Sequence, residues 1–417
     1  MSQTSLPNTS SGLVWRNIIY DIPLANKDRQ LKLKLSKDPE KTVHVKESKD
    51  SDEHRTRRIL HDINGRVDRG ELCGIMGASG SGKTTLLNVL SGRLSQTGDA
   101  DGIVTYQGVK RQPTTWKRTI AFVEQDDALF ARLTVRETIA YAAKLRLPNN
   151  EFDKEAKKKR VQETVEMLRL EGCENSRVGS GTDRGISGGE RKRTSIGVEL
   201  VSNASLLFLD EPTSGLDSYA AARLVSNLRD VIQQRNLACL MTIHQPSWAM
   251  FCALDRVTFL AKGSVYYDGP PRSTIPYFEG HGYKVPEGVN PADHFISIAE
   301  NADQDEAGST RVQSLIDTWR NHTSGTPSES GQSDDVLEGS RVAEKSKNVW
   351  PTPWSAELVV LLQRAAHDQG DDVLRAYNLE VFNIGEDAGF LIALTVLFLV
   401  LGYIGLNIST RPRLRII

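Results

Sequence analysis

The sequence predicts an α/β fold in which a buried parallel sheet takes its ligand at the carboxyl ends of its strands. Three stretches carry that expectation. The apolar run Leu72-Cys73-Gly74-Ile75-Met76 passes straight into Gly77-Ala78-Ser79-Gly80-Ser81-Gly82-Lys83-Thr84-Thr85, which reads as strand, glycine loop and helix. Leu206-Leu207-Phe208-Leu209 is a second short apolar run, and it ends in two carboxylates, Asp210 and Glu211. Leu237 to Ile243 is a third, with His244-Gln245-Pro246-Ser247 at its exit.

The glycine loop is the stretch around which the rest is organised. Gly77, Gly80 and Gly82 let successive backbone N–H groups turn inward around phosphates, with Ser79 and Thr85 in the same cradle. Lys83 can reach the β and γ oxygens, and the Thr84 hydroxyl suits Mg²⁺. The helix starting near Lys83 turns its positive end toward the same anion. Alone, the loop specifies a nucleotide phosphate site and leaves open which machine uses it.

A length of 417 residues, with 39% hydrophobic and 25% charged content, allows a large core and more than one structural unit. The formal net charge of −1 argues against a generally basic nucleic-acid binder. Cys73, Cys173, Cys239 and Cys252 lack CxxC spacing and read as reduced core thiols rather than disulfides or zinc ligands. The polar start, Met1-Ser2-Gln3-Thr4-Ser5, has no apolar run of the kind a cleaved signal peptide needs. Far along the chain, 389–408 is uncharged and of bilayer-spanning length, with Tyr403 near one end and Arg411, Arg413 and Arg415 beyond it.

Taken in order, 1–12 reads as a disordered tail. Leu13 to Leu24 then offers Val14, Trp15, Ile18, Ile19, Tyr20 and Ile22 as an opening strand or two. The stretch 26–58 is charged with both signs and reads as a solvated insertion, with order resuming at Ile59-Leu60. Gly102 to Tyr106 is a strand, and Ile120 to Val123 leads to Gln125 where strand gives way to loop. The stretch 134–201 reads as mainly helical. Thr134 and Glu137 make a capping box at its start, and Lys157-Lys158-Lys159-Arg160 forms a solvated helix face. Ser187-Gly188-Gly189-Glu190-Arg191 opens a helix through about Val201 and is a second candidate phosphate site. Val257 to Leu260 and Val265 to Tyr267 flank Lys262-Gly263 as a hairpin. The segment 301–350 is rich in Ser, Gly, Asp and Glu and reads as a flexible linker, with one helical patch from Val312 to Trp319.

The order of these features, from the glycine loop through Gln125, Ser187-Gly188-Gly189-Glu190, Asp210-Glu211 and Ser214-Gly215-Leu216-Asp217 to His244, resembles the nucleotide-binding domain of an ABC transporter. Finer runs resemble its G subfamily, the white/brown-pigment and pleiotropic-drug-resistance group. They are GASGSGKTTLLNVLSGR from Gly77, ISGGERKR from Ile186, DEPTSGLDS from Asp210, TIHQPS from Thr242, and Asn290-Pro291-Ala292-Asp293. The resemblance runs from about Leu13 to Ala299 and implies a P-loop ATPase domain over 13–300 with a helical subdomain. It implies that Lys83 and the loop N–H groups hold the phosphates of ATP, while Thr84, Gln125 and, through water, Asp210 organise Mg²⁺. Glu211 would be the general base for the attacking water, and His244 would contact the γ-phosphate. Asp217 would lie where two nucleotide domains meet. Ser187, Gly188 and Gly189 would close over the nucleotide of the partner domain, so the resemblance implies a dimer. Glu190 stands where the family's signature often has Gln. Tyr20 or Trp15 could face adenine, and each reads equally well as a core aromatic.

Beyond 350, the resemblance implies an amphipathic connecting helix over 351–369, the remnant of an external loop over 370–388, a transmembrane helix over 389–408 and a basic tail over 409–417. An ATP site in the cytosol and arginines after the span both favour the same side, which one span cannot supply. Topology therefore predicts an odd number of absent spans or an orientation against the charge bias. The resemblance, which sets the connecting helix almost directly before the last external loop, implies that five of the family's six spans are missing near Asp368 to Gly370. The leading expectation is the ATPase subunit of a G-family exporter of lipids, sterols, pigments or drugs, paired with a second nucleotide-binding domain in a membrane and binding no nucleic acid. The alternative is a membrane-anchored, non-transporting regulator of full-length relatives.

Overall fold

The computed structural model describes residues 12–23, 56–94, 98–180, 185–300, 306–325, 359–361, 363 and 364. The chain falls into two compact units, Met1–Val360 and Leu361–Ile417. In the second, Leu361, Gln363 and Arg364 are helical. The other expectations for 26–55, 326–358 and 370–417 lie outside the described residues. Among the described residues no helix is long and apolar enough to cross a membrane.

Two sheets build the first unit. The smaller is antiparallel, with β1 (Leu13–Pro23), β2 (Thr56–Val67), β4 (Asp99–Tyr106) and β5 (Val109–Lys110) in the order β2-β1-β4-β5. The larger holds β3 (Leu72–Met76), β6 (Ile120–Val123), β7 (Leu206–Leu209), β8 (Ala238–Thr242), β9 (Arg256–Ala261) and β10 (Ser264–Gly269) in the order β10-β9-β3-β8-β7-β6. Its pairs are parallel except β9 with β10, whose two-residue turn places Lys262 at φ 47 and Gly263 at φ 70. Two successive positive φ values match the twist of a tight hairpin, and glycine takes the second at no steric cost.

The helices are α1 (Lys83–Ser91), α2 (Pro113–Thr119), α3 (Val135–Arg146), α4 (Lys154–Met167), α5 (Gly188–Leu200), α6 (Ser218–Arg235), α7 (Trp248–Cys252), α8 (Thr274–Gly280), α9 (Pro291–Glu300) and α10 (Glu306–Gly325). Every residue of β3, β7 and β8 is buried, as continuous apolar runs in a covered parallel sheet should be. Side chains alternate between faces. Leu207, Leu209, Cys239 and Met241 join the core that α3, α4, α5 and α6 cover, whereas Cys73, Ile75, Phe208 and Leu240 join the core under α1 and the smaller sheet. Burying each of the larger of these side chains contributes about 1.5–3 kcal/mol. The alternation also puts Cys73 and Cys239, on neighbouring strands, on opposite faces, and both remain free thiols.

Several expectations are corrected by tertiary contacts. The charged insertion ends earlier than 58, because Thr56, Arg57 and Arg58 already pair with Pro23, Ile22 and Asp21. Arg58 and Asp21 face each other across the strands and form a two-pronged ion pair, 3.0 Å on each prong. A charged run extends a strand when its charges meet opposite ones across the ladder. The helical stretch after Thr134 breaks at Leu147 because Pro148 follows, and Asp153 caps the restart by accepting from the Ala156 N–H.

Lys157 is not on a solvated face. It is 9% exposed, and its Nζ donates to the Leu147 carbonyl at 2.5 Å and to Asn149 Oδ1 at 2.8 Å, satisfying the frayed end of α3. Part of the expected linker is core: α10 runs from Glu306 to Gly325 and buries Val312, Leu315 and Ile316, with Trp319 packed on Tyr267 and Tyr277. Positions 312, 315, 316 and 319 make the stripe of an amphipathic helix. Trp15 at 1% exposure and Tyr20 at 6% are core residues, so neither offers a face to adenine. Cys252 is exposed while the other three thiols are buried.

Candidate nucleotide site

The fully buried strand β3 delivers the chain to Gly77, where φ is +152°. A Cβ there would lie 2.2 Å from the Leu260 carbonyl oxygen, so the loop can seat on β9 only with glycine. Lys83 opens α1 and is buried at 6% exposure; its Nζ donates back to the carbonyls of Gly77 at 2.8 Å and Ala78 at 2.9 Å. Burial lowers the Lys83 pKa, while Glu211 and Asp210 pull it back up. The carboxylates thus help keep Lys83 charged, and an ammonium held by two neutral carbonyls retains its charge for an anionic ligand. The fit to a phosphate chain rests on two further observations. A Cβ on Gly80 would meet nothing within 4 Å, which leaves the loop mouth open. Ser81 Oγ is a buried hydroxyl with no hydrogen-bond partner.

The acids sit directly across from the loop. Asp210, 8% exposed, accepts from Thr84 Oγ1 at 3.0 Å and from Thr242 Oγ1 at 2.7 Å. Thr242 ends β8, and its hydroxyl oxygen also accepts the Glu211 N–H at 2.7 Å. Glu211 has φ +42°, a conformation that costs a non-glycine residue of order 1–3 kcal/mol and is concentrated at functional sites. That turn carries its carboxylate to Gln125, whose Nε2 donates to Glu211 Oε2 at 3.0 Å. Thr84, Asp210 and Gln125 thus offer hydroxyl, carboxylate and amide oxygens, the hard donor set that suits Mg²⁺ beside a phosphate chain. Among the described residues no group of three or more His, Cys, Asp or Glu could hold a metal ion by itself. A Mg²⁺ site here would depend on phosphate oxygens for its remaining ligands.

The remaining expected residues divide into two places. His244 is exposed just beyond β8, at the same carboxyl edge as the loop, because Ile243 N–H donates to the Ile75 carbonyl on neighbouring β3. Ser187 caps α5 in a full capping box: it accepts the Glu190 N–H at 3.3 Å, and its own N–H and hydroxyl each donate to Glu190 Oε2 at 2.8 Å. Glu190 therefore serves the cap well where the family often has Gln. Gly188 and Gly189 stand beside Leu216 and Ala220, next to Asp217, which caps α6 by accepting from Tyr219 and Ala220 N–H groups at 3.0 and 2.9 Å. Among the described residues no hydrogen bond joins 187–189 to 77–85. The structure links Gln125, Asp210 and Glu211 to Thr84 of the loop through hydrogen bonds, and sets Gly188 and Gly189 beside Leu216 and Ala220, the neighbours of Asp217.

Sequence reasoning missed two participants. Thr242 lay inside the quoted TIHQPS run without a role, and a hydroxyl at the end of an otherwise apolar strand was the available signal. Lys192, within ISGGERKR, is 3% exposed and donates to the Gln125 carbonyl at 2.8 Å, a burial no charge pattern reveals.

Comparison with known proteins identifies the class. A family model described as "ABC transporter" matches residues 60–214, and a second, "ABC-2 type transporter", matches 244–352. The ABC transporter G family member 22 of Arabidopsis thaliana is 41% identical over 308 residues, covering 72% of this chain and 40% of the relative. Member 21 of the same plant is 39% identical over 338 residues, covering 76% and 49%. An uncharacterised ABC transporter ATP-binding protein/permease of Saccharomyces cerevisiae is 37% identical over 313 residues, covering 70% and 24%. The chain thus spans less than half the length of these relatives. The phosphate loop, the strand-end acids and the capped glycine signature define an ABC transporter ATPase domain, which binds ATP. The chain belongs to the G family of ABC transporters.

Proposed function

We propose that this chain binds ATP together with Mg²⁺ and hydrolyses it as the nucleotide-binding part of a G-family membrane exporter that works in pairs. The observation that carries this reading is the hydrogen-bonded series Thr84, Asp210, Thr242, Glu211 and Gln125 beside the head of the phosphate loop. Lys83 donors, held on Gly77 and Ala78 in this structure, would meet the β and γ oxygens. Glu211 takes the proton of the attacking water, and Gln125 holds that carboxylate in position. A Mg²⁺ ion on Thr84, Gln125 and the Asp210 side would neutralise charge developing on the phosphates. His244, at the same edge, contacts the γ-phosphate.

Family membership supports the dimer: Ser187–Gly189 and Asp217, which make no hydrogen bond to the chain's own loop among the described residues, cover the nucleotide of a second nucleotide-binding domain. On this reading 13–300, with α10 docked onto it, is the nucleotide-binding domain. The ABC-2 type match and the uncharged run 389–408 support a membrane location with this domain in the cytosol. Family membership supports a lipid, sterol, pigment or drug as cargo.

The test is ATP hydrolysis by the full chain purified in detergent, with and without Mg²⁺, beside Glu211→Gln. The variant should bind ATP as the parent does and lose about 100-fold or more of its turnover. Hydrolysis that ignores Mg²⁺, or is unaltered in Glu211→Gln, would overturn the assignment.

A further inference from the structure

Lys192 is a buried charge for which the chemistry above has no use. Its side chain is 4% exposed, and Nζ lies 2.7 Å from Asp127 Oδ1, on a side chain itself 12% exposed. Nζ also donates to the Gln125 carbonyl at 2.8 Å. Both partners belong to the segment that leaves β6. Seven residues further along α5, and so on the same helix face, Glu199 accepts the Phe122 N–H at 3.4 Å. Glu199 is itself held by Arg146 at the end of α3. One helix therefore fastens to β6 and its exit at two levels, through Phe122 and through Gln125 with Asp127.

The two ends of this arrangement are functional in the reading above. One turn before Lys192, α5 begins at Gly188 and Gly189 under the Ser187 cap. On the very residue whose carbonyl Lys192 holds, the Gln125 side-chain amide reaches Glu211. A single helical turn is stiff; the hydrogen bond to the Gln125 carbonyl fixes direction there, while the contact with Asp127, whose Oδ1 accepts no aligned hydrogen bond, sets the distance between the two charges.

We propose that Lys192 is a positioning residue for hydrolysis. By holding the Gln125 carbonyl and the Asp127 carboxylate, it sets where the Gln125 side chain meets Glu211, and it ties that placement to the seating of Ser187–Gly189. The inference rests on the reading of Gln125 and Glu211 above. A purely structural lysine would stabilise the domain without singling out the chemical step.

The experiment compares Lys192→Met and Asp127→Asn with the parent, as full chains in detergent. It measures kcat and KM for ATP, equilibrium binding of a fluorescent ATP analogue, and hydrogen exchange without nucleotide. We expect kcat to fall about 10–100-fold, the range typical of groups that orient a reacting residue. KM and analogue affinity should stay within about threefold, since the phosphate loop is untouched. Exchange should quicken in 122–129 and not in the phosphate loop. Asp127→Asn preserves side-chain shape, and it carries the test if Lys192→Met does not fold. An unchanged kcat, or kcat and analogue binding falling together with exchange raised throughout the domain, would overturn the proposal. Glu211→Gln is assayed alongside. If it keeps turnover, the site reading has failed; if it loses turnover while the Lys192 and Asp127 variants keep theirs, only the present inference has failed.

Discussion

Thr242 donates its hydroxyl to Asp210 Oδ1 over 2.7 Å while accepting the Glu211 N–H over the same distance, so one fully buried threonine holds both acids. Thr242→Val keeps the shape and removes both bonds. It should cost about 1–3 kcal/mol in unfolding free energy, because the part-buried Glu211 N–H loses its acceptor and the buried Asp210 carboxylate loses a donor. Turnover should fall as well, since Glu211 is no longer held in its left-handed conformation. Thr242→Ser should restore most of both, and equal stability and rate for the valine and serine forms would refute the role.

Lys157 ties α4 to the end of α3 through the Leu147 carbonyl and Asn149. Lys157→Ala should lower stability by about 1–3 kcal/mol in denaturant unfolding, while Lys158→Ala and Lys159→Ala, on exposed neighbours, should stay within about 0.5 kcal/mol. Similar losses from all three would show the run to be an ordinary surface.

Ile316 on α10 is 3% exposed, so Ile316→Ala should cost about 2–5 kcal/mol. The measurement is the unfolding midpoint of the full chain, and no change would mean that α10 adds nothing to the core.

The thiols predict a pH effect with a definite sign. Burial pushes Cys73 up to about 12 and, with Glu190 nearby, Cys173 up to about 11, from an ordinary value of 9.0. A raised folded value means that the unfolded chain loses its proton first. The stability these thiols contribute is present below pH 9.0 and is lost as pH rises toward 11 and 12. Cys73→Ala should therefore lose less of its own stability between those limits than the parent does. At neutral pH the native chain should react with a maleimide once, at exposed Cys252, and four times when unfolded. More than one rapid native adduct would contradict the burial.

The phosphate loop, the acids after β7, the Thr134–Glu137 capping box and the hairpin turn were legible in the sequence because each needs particular residue types at fixed spacing; the second capping box, Ser187 with Glu190, emerged only from the structure. Lys157 and Lys192 were not legible. A lysine reads as solvent-facing until its acceptors are known, and those acceptors, Leu147 in one case and Gln125 with Asp127 in the other, come from separate segments. Helix α10 was legible in part. Its stripe at 312, 315, 316 and 319 stands out, yet the polar composition on either side made it look like a linker. Trp15 and Tyr20 show the reverse case: an aromatic in a strand cannot be told from a ligand platform until the opposing sheet covers it.

The hairpin turn sits beneath the phosphate loop, with the Gly263 N–H donating to the Ser81 carbonyl at 3.0 Å. Strand β3, which leads into that loop, has β8 and β9 as its two neighbours, and both come from residues 238–261. During synthesis the loop residues emerge early, but they have no strand on either side and no turn beneath them until Gly263 has followed. The nucleotide pocket is thus encoded near the start of the domain and assembled near its end. A nascent chain stalled between the two carries the full loop sequence with no pocket to show for it.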